Sequence, residues 1–388
     1  MKCCILFVDD EPNVIAGLRR MLHPLRAEWD MHFATSGAEA LTLAEKLPLD
    51  VVVSDMRMPG MDGATLLGEI RDRYPSAIRI VLSGHSDRAM AMGSVRVAHQ
   101  YLAKPCSADK LRTTIDRARQ LRATLQSPHL AELISRMDRL PSIPALYTQL
   151  VDEIESPSGS AKRAGEIIAR DVAMSAKVLQ FVNSAFFGMP QRVTSPAQAA
   201  VLLGLNLLKS LVLGFQVFSV DRNAGSAADL ERLWAHSLTV SSLARHIASE
   251  ERAPPQEVED AVIGGMLHDI GKILVPPSPS SPGKPDLAED DERFVREYGV
   301  SIEQLGAYLL GIWGLPASIV EIVAYHRRPS ERAGPRSLSI WSVHAANAVA
   351  ERFPEDDPDV LGIDREYAGP GDLVARVRSW NAACLRLR

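Results

Sequence analysis

Five short apolar runs, separated from one another by helical patterns, occupy the first 125 residues of this 388-residue chain. They lie near residues 3–8, 29–34, 50–54, 78–82 and 99–102. Runs this short and this continuously apolar suit strands buried on both faces, and the segments between them suit crossover helices. The pattern therefore predicts an α/β doubly wound fold around a five-stranded parallel sheet. Such sheets bind ligands beyond the carboxyl ends of their strands, where the strand order switches, so the residues that close the runs are the informative ones. Asp9 and Asp10 follow the first run. Asp55 ends Val51-Val52-Val53-Ser54, Ser83 ends the run at 78–82, and Lys104 follows Tyr101-Leu102-Ala103.

That set has a specific chemistry. An aspartyl carboxylate is a poor nucleophile toward phosphorus until charge repulsion is relieved, which a divalent cation bridging carboxylate and phosphoryl oxygens does. An oxygen-only ligand set suits Mg²⁺. Asp9, Asp10 and Asp55 form an anionic cup, Lys104 supplies a compact cation for a phosphoryl group, and Ser83 offers a hydroxyl. Like charges gathered in one place are unfavourable unless a cation compensates them. The five side chains together make Asp55 the expected phosphoacceptor.

The pattern changes to helices alone from about residue 130. Helices are expected near 161–169, 174–182, 196–203, 205–218, 228–250, 256–270, 301–311, 316–325 and 337–352, with no strand among them. A Pro-, Ser- and acid-rich stretch at 276–291 is expected to be a loop. Four units are expected: 1–125, a linker helix at 126–139, an all-α unit at 140–352, and an extension at 353–388 carrying one more helix from about 373. The helix of 107–126 places Leu111, Ile115, Ala118, Leu121 and Leu125 on one stripe. It reads first as the last helix of the first unit, and the same stripe suits a surface that pairs two copies of the chain.

Composition narrows the rest. Hydrophobic residues are 46% and charged residues 23%, as in ordinary globular protein, and the net charge of −5 gives no support to a broad nucleic-acid surface. No apolar stretch reaches membrane-span length and no leader pattern precedes the first strand, so the expected location is the cytoplasm, with no membrane partner. The cysteines, Cys3, Cys4, Cys106 and Cys384, have no partner at zinc-type spacing and read as reduced, packed thiols. In the helical part, His268 and Asp269 are adjacent inside an apolar run, and His236, His326 and His344 lie on neighbouring helices. An isolated helical histidine usually belongs to the core. A His-Asp pair with further histidines raises the case for a metal site.

Two resemblances follow from these residues. Val8-Asp9-Asp10-Glu11-Pro12, the stretch from Asp55 to Gly63, Leu82-Ser83-Gly84 and Lys104-Pro105 resemble the receiver domain of two-component response regulators, a flavodoxin-like fold. The resemblance implies phosphorylation of Asp55 by a cognate sensor histidine kinase. It also implies Mg²⁺ held by Asp10 and Asp55 directly, by Asp9 through water and by the Arg57 carbonyl. Ser83 and Tyr101 would form a switch pair in which the ring turns inward on activation.

Leu140-Pro141-Ser142-Ile143-Pro144, the block around Val182-Asn183-Ser184-Ala185, Trp313-Gly314-Leu315-Pro316 and Tyr325-His326 resemble the HDOD branch of the HD superfamily, whose hydrolases use a His, a His-Asp pair and a distal Asp. Here Asn347 stands where the distal carboxylate is expected, and no Gly-Tyr-Pro tripeptide follows His268-Asp269. His236, His268, Asp269, His326 and Asn347 are thus either a residual metal site or a buried polar cluster with Lys272 as counter-charge. The missing carboxylate favours the cluster. The expected protein is a response regulator whose HDOD output binds downstream signalling proteins, with homodimers as one route. The alternative is a phosphorylation-gated, metal-dependent phosphohydrolase acting on a nucleotide or cyclic dinucleotide.

Overall fold

A computed structural model describes residues 2–83, 97–124, 140–141, 144–183, 193–209, 218–219, 227–274 and 287–387. The expected linker helix at 126–139 lies outside the described residues.

Strands β1 (Cys3–Val8), β2 (Trp29–Ala34), β3 (Val51–Asp55), β4 (Ile78–Ser83) and β5 (Gln100–Ala103) form one sheet in the order β2-β1-β3-β4-β5. Every neighbouring pair is parallel. The sheet separates two apolar layers with the two-residue period of a pleated strand. Ile5, Phe7, Val51, Val53, Ile78 and Ile80 pack with Leu18 and Leu22 of the Pro12–Leu22 helix and with Leu111 and Ile115 of the Ala108–Thr124 helix. Leu6, Val8, Val52 and Val81 face the other way, toward Ala40 and Ala44 of Gly37–Ala44 and Leu66 and Ile70 of Gly63–Arg73. Burial of both faces explains why the strands read as unbroken apolar runs. Because β1 pairs with both β2 and β3, the chain switches direction across the sheet at β1, and the crevice opens where β1 and β3 end.

The remainder is helical. Ala227–Glu250, Pro255–Leu267 and Leu338–Arg352 pack together around Trp234 and Trp341, both fully buried. The expected C-terminal helix is present as Leu373–Leu387, where the buried Trp380 donates its indole N–H to Glu250 (3.1 Å).

Three expectations need correction. The expected helix at 205–218 is helical only over Leu205–Lys209 among its described residues, and Phe218–Ser219 is a strand paired in parallel with Leu140–Pro141. Pairing between residues so far apart leaves no local periodicity to read. The stretch called a loop at 276–291 is helical from Leu287 onward, in Leu287–Tyr298, because Phe294 and Tyr298 anchor its one apolar face. The helix Pro144–Glu155 was not anticipated; its Leu146, Leu150 and Ile154 recur at four-residue spacing and are buried.

Candidate functional site

Among the described residues, the expected site residues gather in two places, one at the sheet crevice and one inside the helical unit. The crevice site is assembled by strand ends. Register pairs Val8 with Ser54, so Asp9, one residue beyond β1, comes beside Asp55, the last residue of β3. Lys104 follows β5 and reaches across: its Nζ lies 2.6 Å from Asp9 Oδ2 and 2.7 Å from Asp55 Oδ1. Asp10 completes a set of three carboxylates whose ligand oxygens lie within 4.8 Å of one another. Asp9 is held by the Glu11 backbone N–H, which donates to its Oδ1 (3.0 Å). The Asp55 turn closes tightly: Gly63 donates its N–H to the Met56 carbonyl (3.0 Å), and a Cβ at Gly63 would run into the Asp55 carbonyl oxygen. Asp62 then caps the following helix by accepting the Thr65 N–H (2.8 Å).

The electrostatics of the crevice are unbalanced. Burial, opposed by Lys104 and assisted by Asp9, raises the Asp55 carboxyl above the usual carboxylate range. Burial also disfavours the Lys104 charge, but its bonds to Asp55 and Asp9 outweigh that and hold the ammonium above the ordinary lysine value. Three carboxylates and one ammonium leave a net negative pocket built from oxygen donors alone, and that donor set fits a hard divalent cation. Arg57 sits in the exposed turn after Met56. Ser83 ends β4, and its side chain lies outside the described residues. Tyr101 is buried, and its ring meets that of Phe181, on the Val172–Val182 helix, edge-on at 6.0 Å and 84°.

The second site gathers His236, His268, Asp269 and Asn347 from three helical segments. Asn347 Oδ1 lies 2.9 Å from His236 Nε2 and 3.2 Å from His268 Nε2. Lys272 Nζ is 2.5 Å from Asp269 Oδ2. His268 Nδ1 is 2.8 Å from the Gly265 carbonyl, an acceptor only, so Nδ1 carries the hydrogen. His268 Nε2 faces Asn347 Oδ1 and, at 3.3 Å, Asp269 Oδ2. His326 stands edge-on to His268, with ring centroids 4.9 Å apart. Its Nδ1 donates to the Val323 carbonyl (2.9 Å), while its buried Nε2 makes no hydrogen bond. His344 is fully used: Nδ1 donates to the His326 carbonyl (2.7 Å) and Nε2 accepts the Asp364 N–H (2.9 Å). Burial opposes the charge of Asp269, yet the His268 and Lys272 charges outweigh it and hold its carboxyl well below the usual range. Burial, then the His268 charge, pushes His236 down to about 4.

The family model of the response regulator receiver domain matches residues 5–116, and that of the HDOD domain matches residues 140–329. The chain belongs to the response regulators, with a receiver domain ahead of an HDOD domain. The hydrogenase transcriptional regulatory protein HoxA of Cupriavidus necator is 34% identical over 134 residues, which is 34% of this chain and 27% of that protein. The DNA-binding transcriptional regulator NtrC of Escherichia coli is 40% identical over 128 residues, 32% of this chain and 27% of NtrC. The chain thus matches about a quarter of the length of either relative. The signal receiver domain of an HD domain-containing protein from Pseudomonas fluorescens is 31% identical over 32% of this chain and 99% of that one, with a TM-score of 0.30. No helix among the described residues is long and apolar enough to cross a membrane.

The receiver and HDOD domains meet at β5. Besides the Tyr101–Phe181 contact, Gln180 Nε2 donates to the His99 carbonyl (3.4 Å), and the Gln100 side chain lies against Gly314 of the HDOD domain. Lys177, on the same helix as Phe181, is buried with its ammonium 3.8 Å from the centre of the Trp313 ring. Phe181, Gln180 and Lys177 were not singled out as functional by sequence reasoning. Nothing in their spacing distinguishes a residue facing the neighbouring domain from one facing its own core. Asn183 ties its helix to the chain at Val193: its amide donates to Leu179 O (3.0 Å) and Val193 O (2.7 Å) and accepts the Val193 N–H (2.8 Å).

Proposed function

We propose that a sensor histidine kinase phosphorylates Asp55 in the cytoplasm, and that the signal leaves through the HDOD domain as a change in what it binds. One observation carries this reading. β5 joins the phosphoacceptor pocket to the HDOD domain: its carboxyl end leads to Lys104 on Asp55, and its Tyr101 packs on Phe181. Mg²⁺, when bound by Asp9, Asp10, Asp55 and the Arg57 carbonyl, supplies the positive charge that lets an anionic phosphodonor approach. Lys104 exchanges its bonds to Asp9 and Asp55 for a phosphoryl oxygen, and Ser83 donates its hydroxyl to another. Tyr101 follows Ser83 inward and leaves Phe181, so phosphorylation and docking of the two domains oppose each other. A few kcal/mol of difference between the docked and undocked arrangements suffices to shift the population.

The HDOD output acts by binding. Lys272 already neutralises Asp269, and the amide of Asn347 takes the place of a carboxylate that would draw in a divalent ion. A second reading, a metal-dependent phosphohydrolase, draws on the unbonded Nε2 of buried His326 beside His268. In that reading His236, His268, Asp269 and His326 would hold the ion, which would activate a water.

Incubating the purified chain with a small phosphodonor and Mg²⁺ tests the first reading. A base-labile acyl phosphate is expected, absent in Asp55→Asn, and its absence from the unsubstituted chain would refute phosphoacceptance. Metal analysis with a cyclic-dinucleotide phosphodiesterase assay separates the outputs. Stoichiometric iron or manganese, with turnover lost in His268→Ala, would replace binding by hydrolysis.

A further inference from the structure

The parallel register of β1 and β2 sets Cys4 opposite Asp30 and Leu6 opposite His32. Residues two apart on a strand, and residues paired across it, share a face. Cys4, Asp30 and His32 therefore project together from the same side of the sheet edge. Their sulfur, carboxylate oxygen and imidazole nitrogen all lie within 4.8 Å of one another. His32 Nε2 is shielded from water and makes no hydrogen bond; Asp30 Oδ2 lies 3.3 Å away, within ion-pair distance but not aligned as an acceptor. Asp50 flanks the trio by accepting the Cys4 backbone N–H through Oδ2 (2.9 Å). Cys4 itself is 2% exposed and Asp30 is open to solvent, so the group has a buried floor and an accessible mouth.

We propose that Cys4, Asp30 and His32 form a binding site for a borderline transition-metal ion of the Zn²⁺ type, separate from the phosphoacceptor pocket. The donor set selects the metal class. One sulfur, one imidazole nitrogen and one carboxylate oxygen are three of the four corners that Zn²⁺ takes, and thiolate disfavours Mg²⁺. The sites are separate because Cys4 is the second residue of β1, whereas Asp9 follows its last. Five residues of strand place them roughly 16 Å apart.

Burial first, then the Asp30 and Asp50 carboxylates, push the Cys4 thiol up to about 11, so a bound ion has to displace a proton from the sulfur. An arriving cation cancels the negative potential of the two carboxylates, and the thiol releases its proton on binding. The ion would tie β2, an edge strand, to β1 by side chains as well as by the backbone ladder. The same trio without a metal is an Asp30–His32 contact beside a packed thiol, and the two descriptions predict different spectra.

Cobalt substitution of the full chain, after treatment with chelator and reductant, discriminates them. A thiolate-to-cobalt charge-transfer band is expected on adding Co²⁺, displaced by Zn²⁺. It should vanish in Cys4→Ser and survive in Cys106→Ser. The histidine cluster of the HDOD domain holds no thiol and cannot produce the band. Asp30→Asn, at a solvent-exposed position, should weaken Zn²⁺ at least about tenfold in a chelator competition. Absence of the band, its persistence in Cys4→Ser, or unchanged affinity in Asp30→Asn would each overturn the assignment.

Discussion

If Tyr101 must leave Phe181 when Asp55 is phosphorylated, then weakening that contact beforehand should make phosphorylation easier. The perturbation is Phe181→Leu, which keeps an apolar side chain of similar bulk and removes the ring. Edge-on aromatic pairs at this distance contribute about 0.5–1.5 kcal/mol beyond their buried area, and the Tyr101–Phe181 centroids lie 6.0 Å apart at 84°. Coupling between sites is reciprocal, so that energy should appear in the affinity for a phosphoryl mimic as a gain of roughly 2- to 12-fold. The assay is titration of the full chain with beryllofluoride in saturating Mg²⁺, read by tryptophan fluorescence or calorimetry. Gln180→Ala removes a longer contact, 3.4 Å to the His99 carbonyl, and should give only about a twofold gain, the low end for a neutral hydrogen bond. Phe294→Leu alters an equally buried ring of the HDOD domain that packs on Tyr298 instead, and it controls for general loosening. Unchanged or weaker mimic binding in Phe181→Leu, or the same gain in Phe294→Leu, would refute the opposition between docking and phosphorylation.

Two further outcomes concern charge. Lys104→Met leaves the buried Asp9 and Asp55 carboxylates without their ammonium; because Lys104 is itself a quarter exposed, the expected loss of stability is near the lower end for a broken buried pair, about 3 kcal/mol. Urea unfolding should show this loss shrinking with added Mg²⁺, and a neutral or stabilising substitution would contradict the described pocket. Burial first, then the Arg79 and Lys177 charges, hold the His99 ring well below its ordinary value of 6.5. The unfolded chain then binds a proton there that the folded chain refuses, so stability is full above 6.5 and falls as pH drops below it. The urea midpoint should decline on acidification from about pH 7.5 to about pH 5.5, more shallowly in His99→Gln, and a rising midpoint would exclude this origin.

Much of the receiver domain was legible in the sequence because its chemistry is tied to local features. Strand runs buried on both faces announce themselves as apolar blocks, and in a parallel sheet their carboxyl ends must converge. The strand-end positions of Asp9, Asp10, Asp55 and Lys104 therefore imply one shared pocket. The HDOD cluster was legible in membership but not in state. The sequence offers His236, His268, Asp269, His326 and Asn347, yet only geometry shows that Lys272 lies on Asp269 and that the His326 Nε2 is unbonded.

Sequence alone thus determined the fold of each part and the residues of the acidic crevice, since hydrophobic periodicity and strand-end residues are properties of contiguous segments. Tertiary structure alone decided what meets across distance. Phe181 faces Tyr101, Phe218 pairs with Leu140, and Cys4 comes within reach of Asp30 and His32. These contacts join residues dozens of positions apart, where strand register and helix docking set the neighbours and no local pattern records them.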